Sequence, residues 1–159
     1  MSKRLMRALA VVAVLTGLVV TGFQGPASAA TDYRYQNFYT NNCLDSNAQR
    51  QVYTGPCGSS YQVWWVQDVG SYIQLHHRAT GFCLDSNASG IVYTNPCDAN
   101  NGFQLWRRVT RSGGTGMNYQ SAATGRCLTS PQADWVRTDF LCPSDSGVNY
   151  RAYWNQYRA

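Results

Sequence analysis

The chain has 159 residues, with 13 basic and 8 acidic side chains and a formal net charge of +5. Three of the basic residues lie within the first 29 positions, which leaves 10 − 8 = +2 for the remainder. This small charge, with no basic run beyond Arg107 and Arg108, argues against the clustered basic stripe of a nucleic-acid-binding protein.

Residues 1–29 have the pattern of a secretory signal peptide. Their basic residues come first, an apolar run from Ala8 to Val20 follows, and residues 27–29 form a small-x-small cleavage site. The apolar run is too short for a comfortable membrane span. We therefore predict a secreted, extracellular protein without membrane insertion, which begins at Ala30 or one residue later.

Three copies of one sequence unit follow this segment. Thr-Asn-Asn-Cys-Leu-Asp-Ser-Asn-Ala at 40–48 matches Thr-Gly-Phe-Cys-Leu-Asp-Ser-Asn-Ala at 80–88, and Thr-Gly-Arg-Cys-Leu-Thr-Ser at 124–130 is a weaker copy. Each unit ends on an aromatic signature, namely Tyr-Gln-Val-Trp at 61–64, Phe-Gln-Leu-Trp at 103–106 and Tyr-Arg-Ala-Tyr at 150–153. The copies divide one domain, residues 30–159, into repeats at about 33–69, 70–112 and 113–159.

The repeats contain short strand-like runs bounded by Gly, Asn, Ser and Thr, such as 63–66 and 72–75. Their period, near 40 residues, also suits propeller blades or helical repeats. Propellers need at least four blades, and helical repeats need apolar residues at three- and four-residue spacing, which these units lack. Three short-stranded units therefore predict an all-β fold, a β-trefoil with threefold pseudosymmetry.

Six cysteines lie in the repeats, and an even number in an exported chain predicts a disulfide framework. The closest two are 14 residues apart, which does not suit a zinc site, so no metal is predicted. Sequence alone allows fifteen pairings. The similar spacing in each repeat favours one bridge per repeat, namely Cys43–Cys57, Cys83–Cys97 and Cys127–Cys142.

The order Cys-Leu-Asp, a strand that ends in Cys, and then Gln-x-Trp resembles the repeat of ricin-type β-trefoil lectins, from about Tyr33 to the C-terminus. The residues around Cys-Leu-Asp-Ser-Asn-Ala are also similar to exported actinobacterial members of that family. The resemblance implies a sugar pocket in each repeat. Its Asp accepts hydrogen bonds from two sugar hydroxyls, an aromatic residue two positions before the second cysteine stacks on the sugar ring, and an Asn-Gln pair completes it.

The first two repeats keep part of this pocket. Asp45 and Asp85 are present, but the stacking position holds Gly55 in one repeat and Asn95 in the other. The tyrosines two residues upstream share a strand face with those positions and are candidates to stack instead. The predicted sugar-binding residues are Asp45, Tyr53, Gln62, Asp85, Tyr93, Asn95 and Gln104.

The same sequences allow other roles. Asp45 and Asp85 can instead cap backbone N–H groups of the turn that follows each of them. In the third repeat Thr129 replaces the Asp and Arg151 replaces the Gln, so we predict that this pocket binds no sugar.

Two further residue types have a structural interpretation. Trp64 and Trp106 of the Gln-x-Trp signatures are predicted to lie in the core, as the resemblance implies. His76 and His77 are predicted to be strand-surface residues rather than metal ligands or catalytic bases.

These features predict a lectin that recognises a polysaccharide or cell-surface glycan, needs no cofactor and is not an enzyme. The part after residue 29 has no Glu, and Asp residues in separate repeats should lie too far apart to act as a hydrolytic pair. The alternative is a protein-interaction module, either an adaptor in a secreted multiprotein complex or an inhibitor of an extracellular enzyme. Whether Asp45 and Asp85 face open pockets or are used in turns distinguishes the two functions.

Overall fold

A computed structural model describes residues 30–110, 116–140, 142 and 149–159. The predicted signal peptide, residues 1–29, lies outside the described residues. The described part of the chain forms twelve β-strands and two short 3-10 helices, which confirms the predicted all-β class.

Each repeat contributes four strands. The first has β1 Asp32–Asn37, β2 Cys43–Ser46, β3 Val52–Gly55 and β4 Trp64–Val69. The second has β5 Tyr72–His77, β6 Cys83–Ser86, β7 Val92–Asn95 and β8 Trp106–Thr110. The third has β9 Met117–Ser121, β10 Cys127–Gln132, β11 Trp135–Asp139 and β12 Trp154–Arg158. The 3-10 helices, Ser60–Gln62 and Tyr150–Ala152, precede β4 and β12.

The first and last strands of the repeats close into a six-stranded antiparallel barrel. Around the barrel β1 pairs with β4, β4 with β5, β5 with β8, β8 with β9, β9 with β12, and β12 with β1. The other strands form three hairpins, β2–β3, β6–β7 and β10–β11, and their second strands contact one another. The hairpins therefore meet around a pseudo-threefold axis, which confirms the predicted β-trefoil.

The hairpins turn through equivalent residues in left-handed backbone conformation. These residues are Arg50 with φ 68°, Gly90 with φ 87° and Asp134 with φ 63°. Gly90 lies in close contact with its neighbour, because a Cβ atom there would be 2.7 Å from the Thr138 carbonyl oxygen. That neighbour belongs to the next hairpin, so the missing side chain lets two repeats approach each other.

The barrel core repeats one tryptophan contact three times. Three fully buried tryptophans begin the last strand of each repeat, and each indole N–H donates to a leucine carbonyl of the Cys-Leu pair. The pairs are Trp64 with Leu44 at 3.1 Å, Trp106 with Leu84 at 3.1 Å and Trp154 with Leu128 at 3.0 Å. The core prediction for Trp64 and Trp106 is thereby confirmed.

The third repeat corrects one residue assignment. Since Trp154 takes the place of Trp64, the residue two positions earlier, Ala152, takes the place of Gln62. The prediction that Arg151 replaces the Gln was therefore wrong by one position. Ala152 is fully buried and has no polar side chain, so the third repeat lacks this amide.

All six cysteines form the predicted bridges, Cys43–Cys57, Cys83–Cys97 and Cys127–Cys142. Each bridge closes a loop of about fifteen residues, which stabilises a domain by roughly 3 kcal/mol in the chain-entropy account. Such bridges persist in oxidising compartments. No helix in the part of the chain that the structure describes is long and apolar enough to cross a membrane.

Candidate functional site

The hairpin ladders bring each predicted Asp opposite a predicted Tyr. Asp45 pairs with Tyr53 across β2–β3, and Asp85 pairs with Tyr93 across β6–β7. Neighbouring residues of paired antiparallel strands project to the same face, so each carboxyl lies beside a tyrosine ring. The two repeats therefore begin from the same arrangement.

In the first repeat the Asp45 carboxyl is 5% exposed, and its Oδ1 atom has no hydrogen-bond partner among the described residues. Burial raises the pKa of Asp45 above its ordinary value. Donors on Gln62 and Tyr53 and the Ser46 N–H lower the pKa and offset part of this effect. Burial and then the Asp45 charge also raise the pKa of the Tyr53 hydroxyl.

Gln62 holds the loop that borders Asp45. Its Oε1 atom accepts from the backbone N–H groups of Gly58 at 2.9 Å and Ser59 at 3.1 Å. Its Nε2 atom donates to the Pro56 carbonyl at 3.0 Å. Gln62 thus fixes the entry to the 3-10 helix, while its amide lies near the Asp45 carboxyl.

The stacking position of the first repeat, Gly55, is buried and has no side chain. A Cβ atom at Gly55 would meet only the Gln62 Nε2 atom, at 3.6 Å, which is an ordinary contact distance. Tyr61 is 43% exposed, and its carbonyl accepts from His77 Nε2 at 2.8 Å. The site therefore combines a buried carboxylate oxygen that has no hydrogen-bond partner among the described residues with Tyr53 and Tyr61 nearby.

In the second repeat the Asp85 carboxyl is 1% exposed and has partners on both oxygens. Oδ1 accepts from the Ser86 N–H at 2.7 Å, and Oδ2 accepts from Gln104 Nε2 at 2.9 Å and Asn101 Nδ2 at 3.3 Å. Gln104 Oε1 in turn accepts from Gln74 Nε2 at 3.1 Å. Both oxygens of Asp85 therefore already accept hydrogen bonds from the protein, as expected if this residue has a structural role.

In the second repeat the stacking position is Asn95, and Arg50 of the first repeat covers it. Asn95 Oδ1 accepts from Arg50 Nη1 at 3.1 Å, and the Arg50 guanidinium lies 4.8 Å from the centre of the Phe82 ring. The Tyr93 hydroxyl donates to the Ser86 carbonyl at 3.2 Å. The predicted residues Tyr93 and Asn95 thus have protein partners already.

One pair of residues contributes to the difference between the two carboxyls, beside the bonds that the Ser86 N–H and Gln104 make to Asp85. Ser59 and Asn101 both stand three positions before the Gln, and both accept from the backbone N–H two residues ahead. The longer Asn101 side chain also carries an amide that reaches Asp85, whereas the Ser59 hydroxyl has no second group to donate to Asp45.

The third repeat has a different set of groups. Thr129, at the Asp position, is 3% exposed and donates to the Arg137 carbonyl at 3.2 Å. Phe140, two residues before Cys142, is 69% exposed, with the Arg126 guanidinium 4.1 Å from its ring centre. The sequence interpretation missed this aromatic residue, although counting two positions back from the second cysteine would have found it.

The prediction that His76 and His77 lie on the strand surface was wrong, since they are 7% and 0% exposed. His77 is buried because its two ring nitrogens bond the Thr80 hydroxyl and the Tyr61 carbonyl, each at 2.8 Å. His76 lies within 4.8 Å of the sulfur atoms of Cys83 and Cys97, but those sulfurs form a disulfide and supply no thiolate to a metal.

Comparison with solved structures shows the same fold. The chain matches a designed threefold symmetric protein, ThreeFoil, with a TM-score of 0.66 and 20% identity, over 79% of this chain and 96% of the other. It matches SeviL bound to asialo-GM1 saccharide with a TM-score of 0.65 and 12% identity, over 82% and 99%.

A larger protein contains the fold as one part. The GlcNAcα1-4Gal-releasing endo-β-galactosidase from Clostridium perfringens matches with a TM-score of 0.71 and 13% identity, over 81% of this chain. The match spans only 32% of the length of that enzyme. No curated protein matches the chain in sequence. The family model of the ricin-type β-trefoil lectin domain matches residues 31–147.

Proposed function

The chain belongs to the ricin-type β-trefoil lectin domain family, and from this premise we propose that it is a secreted carbohydrate-binding protein. Its main saccharide site is the pocket of the first repeat, around Asp45, Tyr53 and Gln62. The observation that carries the proposal is the buried Asp45 Oδ1 atom, which has no hydrogen-bond partner among the described residues. The proposal assigns no catalytic role to the chain.

The unpaired oxygen of Asp45 needs a donor. A buried polar atom without a partner costs roughly 1–3 kcal/mol, and more when it carries charge. A sugar hydroxyl that donates to this carboxylate forms a charge-assisted hydrogen bond, which is stronger than a neutral one. Asp85 needs no donor from a ligand, because both of its oxygens already accept hydrogen bonds from the protein.

The aromatic part of the site comes from tyrosines. Tyr53 is half-buried opposite Asp45, and Tyr61 is 43% exposed next to Gln62. The C–H face of a pyranose packs on an aromatic ring while its hydroxyls point outward to polar groups. Gly55 carries no side chain at the position where family members carry an aromatic residue, and a Cβ atom there would meet Gln62 Nε2 at 3.6 Å.

For a protein with one main pocket, a polymeric glycan is a better ligand than a free sugar. One pocket binds a monosaccharide weakly, whereas a polymer presents many copies of its sugar and raises the local concentration at the site. Two of the structural neighbours support this ligand class, since one is bound to a saccharide and the other is a galactosidase by name. We therefore propose a polysaccharide or cell-surface glycan as the ligand.

Export is part of the same proposal. The basic, apolar and small-residue segments of residues 1–29 follow the order of a signal peptide. The three disulfides require an oxidising environment to form and persist. Both features support secretion to a place where extracellular glycans are available.

The test is binding of the oxidised protein, residues 30–159, to a panel of glycans and cell-wall polysaccharides. Wild type is compared with Asp45→Ala and with Thr129→Ala, which truncates the matching position of the third repeat. We expect wild type and Thr129→Ala to bind the same glycan and Asp45→Ala to lose at least about tenfold in affinity. A wild type that binds no glycan contradicts the proposal and directs the search to protein partners.

A further inference from the structure

The three hairpins enclose a second cleft, separate from the Asp45 pocket. It has a volume of about 530 Å³, and its lining comes from all three repeats. Its floor is formed by three nearly buried valines at equivalent positions, Val52, Val92 and Val136. A cleft of this size is in the range of small-molecule sites.

The rim of this axial cleft breaks the threefold symmetry. The residues before the three valines are equivalent in the ladders, and they are Gln51, Ile91 and Trp135. Ile91 is 59% exposed and Trp135 is 44% exposed. Two large apolar side chains thus stand at exposed hairpin ends where the first repeat has a glutamine, and exposed apolar surface of this kind is typical of binding sites.

Unused donors lie beside these apolar faces. The indole N–H of Trp135 has no hydrogen bond to the described part of the chain, in contrast to the core tryptophans, which all donate to leucine carbonyls. Gln49 likewise makes no side-chain hydrogen bond there, and the Gln51 amide only accepts, from Asn47 Nδ2 at 2.8 Å. Arg50 adds further donors, and its guanidinium contacts the neutral Asn95 amide and the Phe82 ring.

We propose that this axial cleft is a second saccharide site, built between the repeats rather than within one. A purely apolar ligand would leave the amide and indole donors unsatisfied, and a purely polar one would gain nothing from Trp135, Ile91 and the valine floor. A pyranose matches both, since it has an apolar C–H face and a ring of hydroxyls. The Arg137 guanidinium, 5.4 Å from the Trp135 ring centre, positions the indole at the rim.

The site does not rest on the first-repeat pocket, because none of Asp45, Tyr53 and Gln62 lines it. With both sites in use, the protein would bind two segments of one polysaccharide, and its avidity would exceed that of either site.

The test observes the Trp135 indole N–H by NMR in 15N-labelled protein, with the signal assigned by its loss in Trp135→Gln. Lactose, maltose, cellobiose and chitobiose are titrated to about 50 mM, well above a dissociation constant of about 1 mM. The proteins compared are wild type, Asp45→Ala, Ile91→Gln and, as an exposed control outside the cleft, Tyr39→Ala. Ile91→Gln places at this position the residue that the first repeat already has, so the hairpin remains intact.

We expect at least one disaccharide to shift the indole signal with the same affinity in wild type, Asp45→Ala and Tyr39→Ala. Ile91→Gln should weaken that binding about fivefold through the lost apolar contact. The proposal is overturned if no disaccharide shifts the signal, if Asp45→Ala removes the shift, or if Ile91→Gln leaves the affinity unchanged. If the indole signal shifts as expected but no glycan binding depends on Asp45, only the proposed function of the first-repeat pocket is contradicted.

Discussion

Asp45 and Asp85 occupy the same ladder position in two repeats that share the residues Cys-Leu-Asp-Ser-Asn-Ala, but their oxygens have different partners. Asp85 accepts three hydrogen bonds from the protein, whereas Asp45 keeps one buried oxygen without a partner. The second repeat thus binds its carboxylate within the protein, and we propose that the first uses its carboxylate to bind a ligand. The residues of the neighbouring loops, rather than the repeat motif, therefore set the hydrogen-bond partners of the repeated aspartate in each copy.

The largest expected effect is a difference in how much each of the two carboxyls contributes to the free energy of unfolding. Asp85→Ala leaves the Ser86 N–H and the Gln104 amide without their acceptor and should lower the free energy of unfolding by about 2–3 kcal/mol. The matched Asp45→Ala should cost about 1 kcal/mol less than Asp85→Ala, because one Asp45 oxygen lacks a partner while the donors on Gln62, Tyr53 and Ser46 lose their acceptor. Urea unfolding with the disulfides intact measures both values. Equal losses would show that Asp45 is as fully bonded as Asp85.

Exchanging one loop residue should move each carboxyl toward the state of the other. Asn101→Ser removes the amide donor of Asp85 and should cost about 1 kcal/mol, while serine keeps the backbone cap that Ser59 shows. Ser59→Asn should supply Asp45 with a donor, lower its pKa and weaken saccharide binding. NMR titration of the Asp45 carboxyl and glycan affinity measure the second variant. An unchanged pKa and affinity in Ser59→Asn would mean that this residue pair does not set the difference.

Adding an aromatic side chain should distinguish the stacking position of the first repeat from that of the second. Gly55→Trp has space at its Cβ atom and should strengthen glycan binding by about fivefold to tenfold. The matched control Asn95→Trp would compete with the Arg50 hydrogen bond and should give no gain. Calorimetric titration with the glycan selected by the panel measures both. A gain at position 95 without one at position 55 would place the site in the second repeat.

The smallest expected effect is a pH dependence that belongs to Asp45. Because burial raises the pKa of Asp45 in the folded state, its carboxyl favours folding most below the unfolded pKa, and this contribution is lost as the pH rises through the folded value. Asp45→Asn should therefore equal or exceed wild type in stability at neutral pH, by less than about 1 kcal/mol, and lose that advantage in acid. Saccharide binding should weaken as the pH falls through the same raised pKa. Thermal unfolding from about pH 3 to pH 7 checks the sign, and an advantage that grows in acid would contradict it.

The repeat pattern was enough to predict the fold and the disulfide pairing, and the resemblance to the lectin family predicted two core tryptophans. These depend on residues that recur at the same place in each copy, such as Trp64 and Trp106 against Leu44 and Leu84. The third copy was misaligned by one residue, because the stretch between its second cysteine and Trp154 is longer and Tyr153 resembles the expected aromatic.

The hydrogen-bond partners and the burial of each site residue could not be predicted from the repeat pattern. Asp85 accepts from the Ser86 N–H, from Gln104 and from Asn101, and the repeat motif does not reveal how the loop orients these donors. The axial cleft was also hidden, since Gln51, Ile91 and Trp135 lie about 40 residues apart in sequence and meet only when the hairpins pack. The burial of His77 follows from two hydrogen bonds to loop groups that strand patterning does not reveal.

The most direct test of the account compares the dissociation constants of Asp45→Asn and Asp85→Asn for the glycan that wild type binds. Each substitution keeps the side-chain size, removes the carboxylate charge and replaces one acceptor oxygen with an amide N–H2 donor. The account predicts that Asp45→Asn weakens binding by about tenfold or more and that Asp85→Asn, once confirmed to be folded, changes it by less than about threefold. Equal losses, or a larger loss in Asp85→Asn, would contradict the claim that the unpaired oxygen of the first repeat makes the saccharide site.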